Sequence, residues 1–384
     1  MKSSSRGDVD PFIVMDVMEN ARAAEAAGQH VVHMEVGQPG TPAPKAARLA
    51  AARSMETDPL GYTVALGLPA LRARIAQLYG TRHDIDLDPR RVIVTSGSSA
   101  GFLLAFTALF DARDRLGIGL PGYPSYRQIA KALSLEPVDI LTFAENRFQP
   151  APEDIQQRQL DGLILASPAN PTGTMIDRPA FEAIIDITQR ENIALISDEI
   201  YHGIEYEATS VSALELTNDA YVINSFSKYF SMTGWRIGWM VVPEDHVRGI
   251  ERLAQNMFIC APHISQVAAL AALDADAELQ ANLAVYQRNR TLMQKGLPSA
   301  GLPRIAPADG AFYVYADVSD LTDDSHALAA EILTKCGVAV TPGIDFDPRR
   351  GRTTLRFSYA RRTREIEEGL SRLSGFFASY TRTT

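Results

Sequence analysis

The chain has 384 residues, 46% hydrophobic and 22% charged, a globular composition long enough for a large domain and a smaller companion. Its net charge of −9 argues against nucleic acid or an anionic membrane as a partner. Two cysteines, Cys260 and Cys336, are too few for a disulfide framework and are not spaced as a metal site, so no metal is expected. The first ten residues are polar and lack the apolar core of a signal peptide. No apolar run approaches membrane-spanning length, and the expectation is a cytoplasmic protein.

In chain order, an Ala/Glu-rich helix is predicted over 14–27, stopped at Gly28, then a strand over 30–36 running into the turn Gly37-Gln38-Pro39-Gly40. His30 and His33 are three apart, which in a strand puts them on opposite faces and disfavours a metal pair. A helix follows to about Met55, and another over 70–79. From Arg91 the pattern alternates strand and helix, the signature of an α/β fold with a mostly parallel sheet. Strands are predicted over 91–94, 116–120, 163–166, 193–197, 221–224 and 237–242, with helices over 98–110 and 179–191. Helices then run from 243 to about 276. A long helix from roughly 280 leads into an α+β portion, with strands over 311–316, 338–341 and 354–358 and helices over 325–336 and 363–377. The expected division is a large domain over 45–285 and a small one from 1–44 and 286–384, although composition does not mark the boundary.

The chemistry concentrates in Ser225-Phe226-Ser227-Lys228, with Arg236 eight residues beyond the lysine. A lysine at the end of a buried strand loses solvation, which lowers its pKa and frees its amine as a nucleophile. Ser225, Ser227 and Arg236 supply hydroxyls and a planar guanidinium, the partners a phosphate wants. A nucleophilic amine inside a phosphate clamp points to pyridoxal phosphate (PLP), held as an imine and by its phosphate. Alone, a Ser-x-Lys is more often an exposed lysine after a strand. Gly97 to Ser99, Asn170 and Asp198 all fall at carboxyl ends of predicted strands, where open α/β sheets bind ligands. Asp198 is placed to keep a pyridine nitrogen protonated, or else to cap the strand end; Tyr201 and Asn170 are placed to donate to a ring phenolate. The bland role of Asn170-Pro171-Thr172-Gly173 is a tight turn.

Two further motifs and one non-catalytic reading compete with this one. Gly117-Ile118-Gly119-Leu120-Pro121-Gly122 has the nucleotide-binding spacing, but Pro121 and Pro124 predict a turn with no helix opening on it. Gly97-Ser98-Ser99-Ala100-Gly101 has the form of a nucleophile elbow, which would make Ser99 a hydrolase nucleophile with His326 as its base. The preferred reading of that segment is Ser98 and Ser99 amides at a helix N-terminus binding phosphate. A PLP-sensing regulator would need a DNA-binding segment ahead of the domain, and the thirty residues before Val31 are too few for one.

The ordered series Asn-Pro-x-Gly, Asp-Glu-x-Tyr, Ser-x-Ser-Lys and Gly-x-Arg-x-Gly resembles that of the class I/II aminotransferases (fold type I), in company with Gly37-x-Pro39, Tyr62-x4-Gly67 and Arg356. The resemblance extends over nearly the whole chain. It implies that Lys228 forms the imine, that Asp198 pairs with the pyridinium, and that Asn170 and Tyr201 contact the phenolate oxygen. It further implies that Ser98, Ser99, Ser225, Ser227 and Arg236 hold the phosphate, and that Tyr123 stacks on the ring. Gly37, Asn170 and Arg356 are implied to bind substrate, with Arg356 clamping the α-carboxylate. Tyr62 would reach the phosphate of a neighbouring subunit, implying a homodimer with shared sites. The implied activity is transamination between an L-amino acid and a 2-oxo acid; a β-lyase or a cyclopropane-forming synthase would share the cofactor residues. Some aspartate-using relatives carry a lysine where Ser99 stands, so a neutral donor, small or aromatic, is expected.

Overall fold

The computed structural model describes residues 1–156 and 158–380. Ahead of the main sheet lie α1 (Ile13–Ala26), the two-residue strand β1 (Val32–His33), α2 (Lys45–Thr57) and α3 (Pro69–His83). Strands β2 (Val92–Thr95), β3 (Arg115–Leu120), β4 (Glu136–Leu141), β5 (Gly162–Ala166), β6 (Ala194–Asp198), β7 (Ala220–Ser225) and β8 (Gly238–Val241) then form one sheet in the order β2-β8-β7-β6-β5-β3-β4. From β4 across to β7 the neighbours run parallel, and β8 is antiparallel to both β7 and β2. Their connections carry α4 (Ser98–Leu109), α5 (Pro124–Ala132), α6 (Pro152–Ile155) and α7 (Arg178–Arg190). The apolar runs Leu163-Ile164-Leu165 and Tyr221-Val222-Ile223 are buried throughout, as parallel strands covered on both faces must be.

After the sheet come α8 (Val247–Met257), α9 (His263–Ala272) and α10 (Asp276–Ser299). The carboxyl-terminal part holds β9 (Tyr313–Asp317), α11 (Ser325–Cys336), β10 (Val338–Ala339), β11 (Thr341–Pro342), β12 (Thr354–Ser358) and α12 (Thr363–Ser379). β11, β12 and β9 form an antiparallel sheet, and β1 pairs in parallel with β10. This is the expected α/β class with an added α+β portion. The division expected at 285 falls inside α10, so one continuous helix passes from one part to the other.

Several boundaries differ from expectation, each for a physical reason. β4 and α5 were not anticipated. Glu136-Pro137-Val138-Asp139 reads poorly as a strand, but β4 pairs only with β3, and an edge tolerates proline and polar residues. A helix does open two residues after Gly122, correcting the expectation that none follows the Gly-x-Gly-x-x-Gly run. Its first two glycines nevertheless lie within β3, where a Cβ on Gly117 would come 2.8 Å from Leu160, so they serve packing. The strand expected over 30–36 pairs only at Val32–His33, leaving His30 outside it. The one expected over 338–341 is two short strands, because the chain changes sheets at Val340.

Candidate active site

Parallel strands deliver their carboxyl ends to one edge of the sheet, and the functional side chains gather there. β2 ends just before Gly97 and the start of α4, β5 before the Asn170 loop, β6 on Asp198, and β7 just before Ser227 and Lys228. They surround a cavity of about 220 Å³ lined by, among others, Ser98, Ser99, Tyr123, Asn170, Asp198, Tyr201, Ser227, Lys228, Arg236 and Arg356. Gly37 is also in the wall, on the side of the carboxyl-terminal part.

Lys228 Nζ donates to the Gly37 carbonyl at 2.7 Å. Burial pulls its ammonium down to about 8; the nearby Arg356 charge reinforces this and Asp198 opposes it. Asp198 shifts the other way. Burial raises its carboxyl to about 6, against the Tyr126 hydroxyl, the Ile200 N–H at 3.0 Å and the Lys228 charge. The cavity therefore contains a buried carboxylate bonded to a hydroxyl and a backbone N–H, and an amine that burial makes easier to deprotonate. Tyr201 shares a 2.7 Å hydrogen bond with Tyr313, and burial raises its phenol well above the usual value.

Around Gly97 the backbone is bare by necessity. A Cβ there would lie 2.4 Å from Arg236 Nη2, and its φ of 81° is one that side chains avoid. The guanidinium thus sits against the first turn of α4, whose unpaired N–H groups add to its positive field. The Ser227 hydroxyl joins them in the cavity wall.

Arg356 is buried on β12 and stands between the rings of Tyr313 and Phe346, at 4.4 and 4.6 Å to the centroids. Its Nη1 donates to Asn170 Oδ1 at 2.9 Å and its Nη2 to the Glu35 carbonyl and to Thr341 Oγ1. Its Nε is buried with no acceptor. A Cβ on Gly37 would lie 1.7 Å from the Tyr313 hydroxyl, so only glycine lets this turn reach the lysine.

Two expected residues stand elsewhere. Ser225 is behind the wall, its hydroxyl taken up by the Ile237 carbonyl at 3.1 Å and by Ser227, so it positions Ser227. Tyr62 is 82% exposed and outside the lining. The lining also contains residues that sequence reasoning missed: Tyr126, Tyr313, and Phe12, Val14 and Met15 from the start of α1. Tyr126 follows Tyr123 by three positions on α5, a helix that was itself unread. The lining includes no histidine, and His326 lies in the first turn of α11 with its backbone N–H donating to the capping Asp324, which removes the base required by a Ser99 hydrolase. Among the described residues no group of three or more His, Cys, Asp or Glu is arranged to hold a metal ion, and no helix is long and apolar enough to cross a membrane.

The donor set suits PLP. A buried carboxylate without an ion-pair partner among the described residues fits a pyridinium, a buried low-pKa amine fits covalent attachment, and the Arg236–Gly97 cradle fits a phosphate. The Arg356 Nε is left with an unused donor, and a guanidinium is the partner a carboxylate favours. Comparison with known proteins agrees with this geometry. The family model for aminotransferase class I and II matches residues 29–373. The valine–pyruvate aminotransferase of Mycobacterium tuberculosis is 46% identical over 97% of this chain and 98% of its own. A solved chain from Silicibacter pomeroyi is 68% identical with a TM-score of 0.94, covering 99% and 100% of the two chains. The aspartate aminotransferase structure from Thermus thermophilus is 28% identical with a TM-score of 0.92, covering 98% and 99%.

Proposed function

From the premise that the chain belongs to the class I and II aminotransferases, and is a PLP-dependent transaminase acting between amino acids and 2-oxo acids, we propose that its preferred amino donor is neutral. The observation that carries this reading is the inventory of cations in the cavity wall: Lys228, Arg236 and Arg356. In this reading each has a task, namely the cofactor carbonyl, the phosphate and the substrate α-carboxylate. Nothing cationic in the lining is left for a second carboxylate, and an unpaired buried charge is costly. The wall instead offers Phe12, Val14, Met15 and Val36. The activity named for the 46%-identical relative, which pairs valine with pyruvate, supports the same class of donor.

The division of labour follows from the positions. PLP would be held by Lys228, by Asp198 at its nitrogen, by Asn170 and Tyr201 at its phenolate, and by Ser98, Ser99, Ser227 and Arg236 at its phosphate, with Tyr123 against the ring. When bound, PLP supplies an electron sink for the charge left when a substrate loses its α-proton. Lys228 Nζ, whose ammonium burial brings down to about 8, takes that proton from the substrate Cα in its neutral form and returns one in the reverse half-reaction. Arg356 fixes the α-carboxylate so that the Cα–H points at the amine. Tyr201 and Tyr313 close the floor and keep water away.

A shared-site homodimer belongs to the proposal. Tyr62 is exposed and does not line its own cavity, and Val64, Met257 and Ile259 add further exposed apolar surface. A cytoplasmic setting suits the two free cysteines. The test is kcat/KM for valine, alanine, methionine, phenylalanine and aspartate against pyruvate and 2-oxoglutarate. The neutral donors should lead aspartate by roughly tenfold or more, and a clear aspartate preference overturns the reading.

A further inference from the structure

One wall of the cavity is held by a residue more than three hundred positions away. α1 begins at Ile13, and the residue before it is Phe12, which has no side-chain acceptor to cap the helix. The missing acceptor comes from Asp345: its Oδ1 and Oδ2 accept from the Ile13 and Val14 N–H groups at 3.1 and 3.2 Å. Asp345 is 9% exposed and does not line the cavity. α1 itself is shallow, with only Val14 and Ala21 buried along its fourteen residues. An element with so little buried surface opens easily unless its end is tied.

The same short turn touches the other walls. Phe346, the next residue, puts its ring against the Arg356 guanidinium, and its carbonyl accepts from Gly122 N–H at 3.0 Å, one residue before Tyr123. Phe12 returns to meet Tyr123 edge-on at 5.8 Å between ring centroids. Residues 345 and 346 therefore connect the substrate clamp, the loop carrying Tyr123 and the apolar start of α1.

We propose that Asp345 is a positioning residue for donor selectivity: by capping α1 from across the fold, it holds Phe12, Val14 and Met15 in place against the side chain of an aliphatic amino donor. The inference rests on the reading of the cavity as an aminotransferase site and narrows its substrate class. A donor with a branched or long side chain contacts this wall and gains from its being fixed. Alanine is too small to gain as much. Uncapping the helix should therefore act unequally on the two.

The experiment uses the PLP-loaded full chain, with Asp345→Ala, Asp345→Asn and Met15→Ala. Asp345→Ala should lower kcat/KM for valine and leucine by roughly fivefold to thirtyfold, the range of a lost cap, and for alanine by much less. Hydrogen exchange at the Ile13 and Val14 amides should speed up in the same variant. Asp345→Asn keeps one acceptor and the side-chain shape, so it should fall between parent and alanine variant in both readouts. Met15→Ala should lower the valine-to-alanine ratio without changing exchange at those amides. Faster exchange with an unchanged valine-to-alanine ratio overturns the proposal, and so does a changed ratio with unchanged exchange. If Asp345→Ala fails to fold, Asp345→Asn and Met15→Ala decide by the same two readouts. A parent enzyme that prefers aspartate would defeat the neutral-donor reading, while the amide exchange and the valine-to-alanine ratio would still judge the cap.

Discussion

The two sides of the cavity are built in opposite ways. The cofactor side of the proposed site consists of strand ends: Asp198 closes β6, Lys228 follows β7, and the Gly97 turn joins β2 to α4, all rooted in strands buried almost throughout. The substrate side consists of a shallow helix, a short turn and β12, brought together by contacts between distant segments such as Asp345 with Ile13 and Glu35 with Arg356. The first side resists displacement because moving it would break a sheet, and β12 shares that property. The shallow helix and the turn can yield by losing a few hydrogen bonds. In the proposed reading, chemistry that demands fixed geometry sits on the rigid side, and discrimination among side chains falls to the helix and turn that are able to adjust.

Substitutions on the rigid side should cost most. Lys228→Ala should remove on the order of 10⁴-fold of kcat, the upper range for a positioned acid–base group, and borohydride reduction of the parent holoenzyme followed by peptide mapping should label Lys228. Label on another lysine would show that the strand-end lysine is not the chemical centre, and the contrast between the two sides would fail.

Asp198→Asn should lower kcat by on the order of 10²–10³-fold, as loss of one preorganised charge does, with a second effect of opposite sign on the cofactor-free protein. The folded carboxyl titrates near 6 against an ordinary 3.8, so between those values the folded state binds more protons than the unfolded one. Stability contributed by this group therefore falls as pH rises from about 4 to about 6. The asparagine variant should lack that slope and melt above the parent at pH 7, with the two converging towards pH 4. Thermal unfolding across that range would show it, and parallel curves would mean that the buried carboxylate carries no such strain.

Arg356→Lys gives the smallest expected effect of the three. A lysine keeps the charge but loses the fork, and a charge-assisted hydrogen bond contributes about 1.5–3 kcal/mol, so kcat/KM for amino and keto acids together should drop roughly ten- to hundredfold. Unchanged values for both would remove Arg356 from the substrate side and leave the comparison without its anchor.

Much of the rigid side was legible in the sequence, because its residues come in short runs. Ser-x-Ser-Lys, Asp-Glu-x-Tyr and Asn-Pro-x-Gly each follow an apolar strand, and a parallel sheet carries strand ends to one edge whatever their separation along the chain. Tyr126 escaped notice because α5 was not read, and α5 was not read because the edge strand after it lacks the alternation of a half-buried one. Ser225 looked the equal of Ser227, but Ser225 closes β7 with its hydroxyl bonded to the Ile237 carbonyl, while Ser227 lies past the strand end in the cavity wall.

By itself, then, the sequence determined the α/β class, the order of the strands along the chain and the identity of the residues at their ends, since these depend on periodicity and on neighbours a few positions apart. Only the tertiary structure decided that Gly37 offers its carbonyl to Lys228 across 191 positions, and that Asp345 caps a helix 332 positions before it. Hydrogen bonds of that kind leave no trace in local pattern. They come into being when β1 pairs with β10 and β11 with β12, which brings the two ends of the chain to the mouth of the cavity.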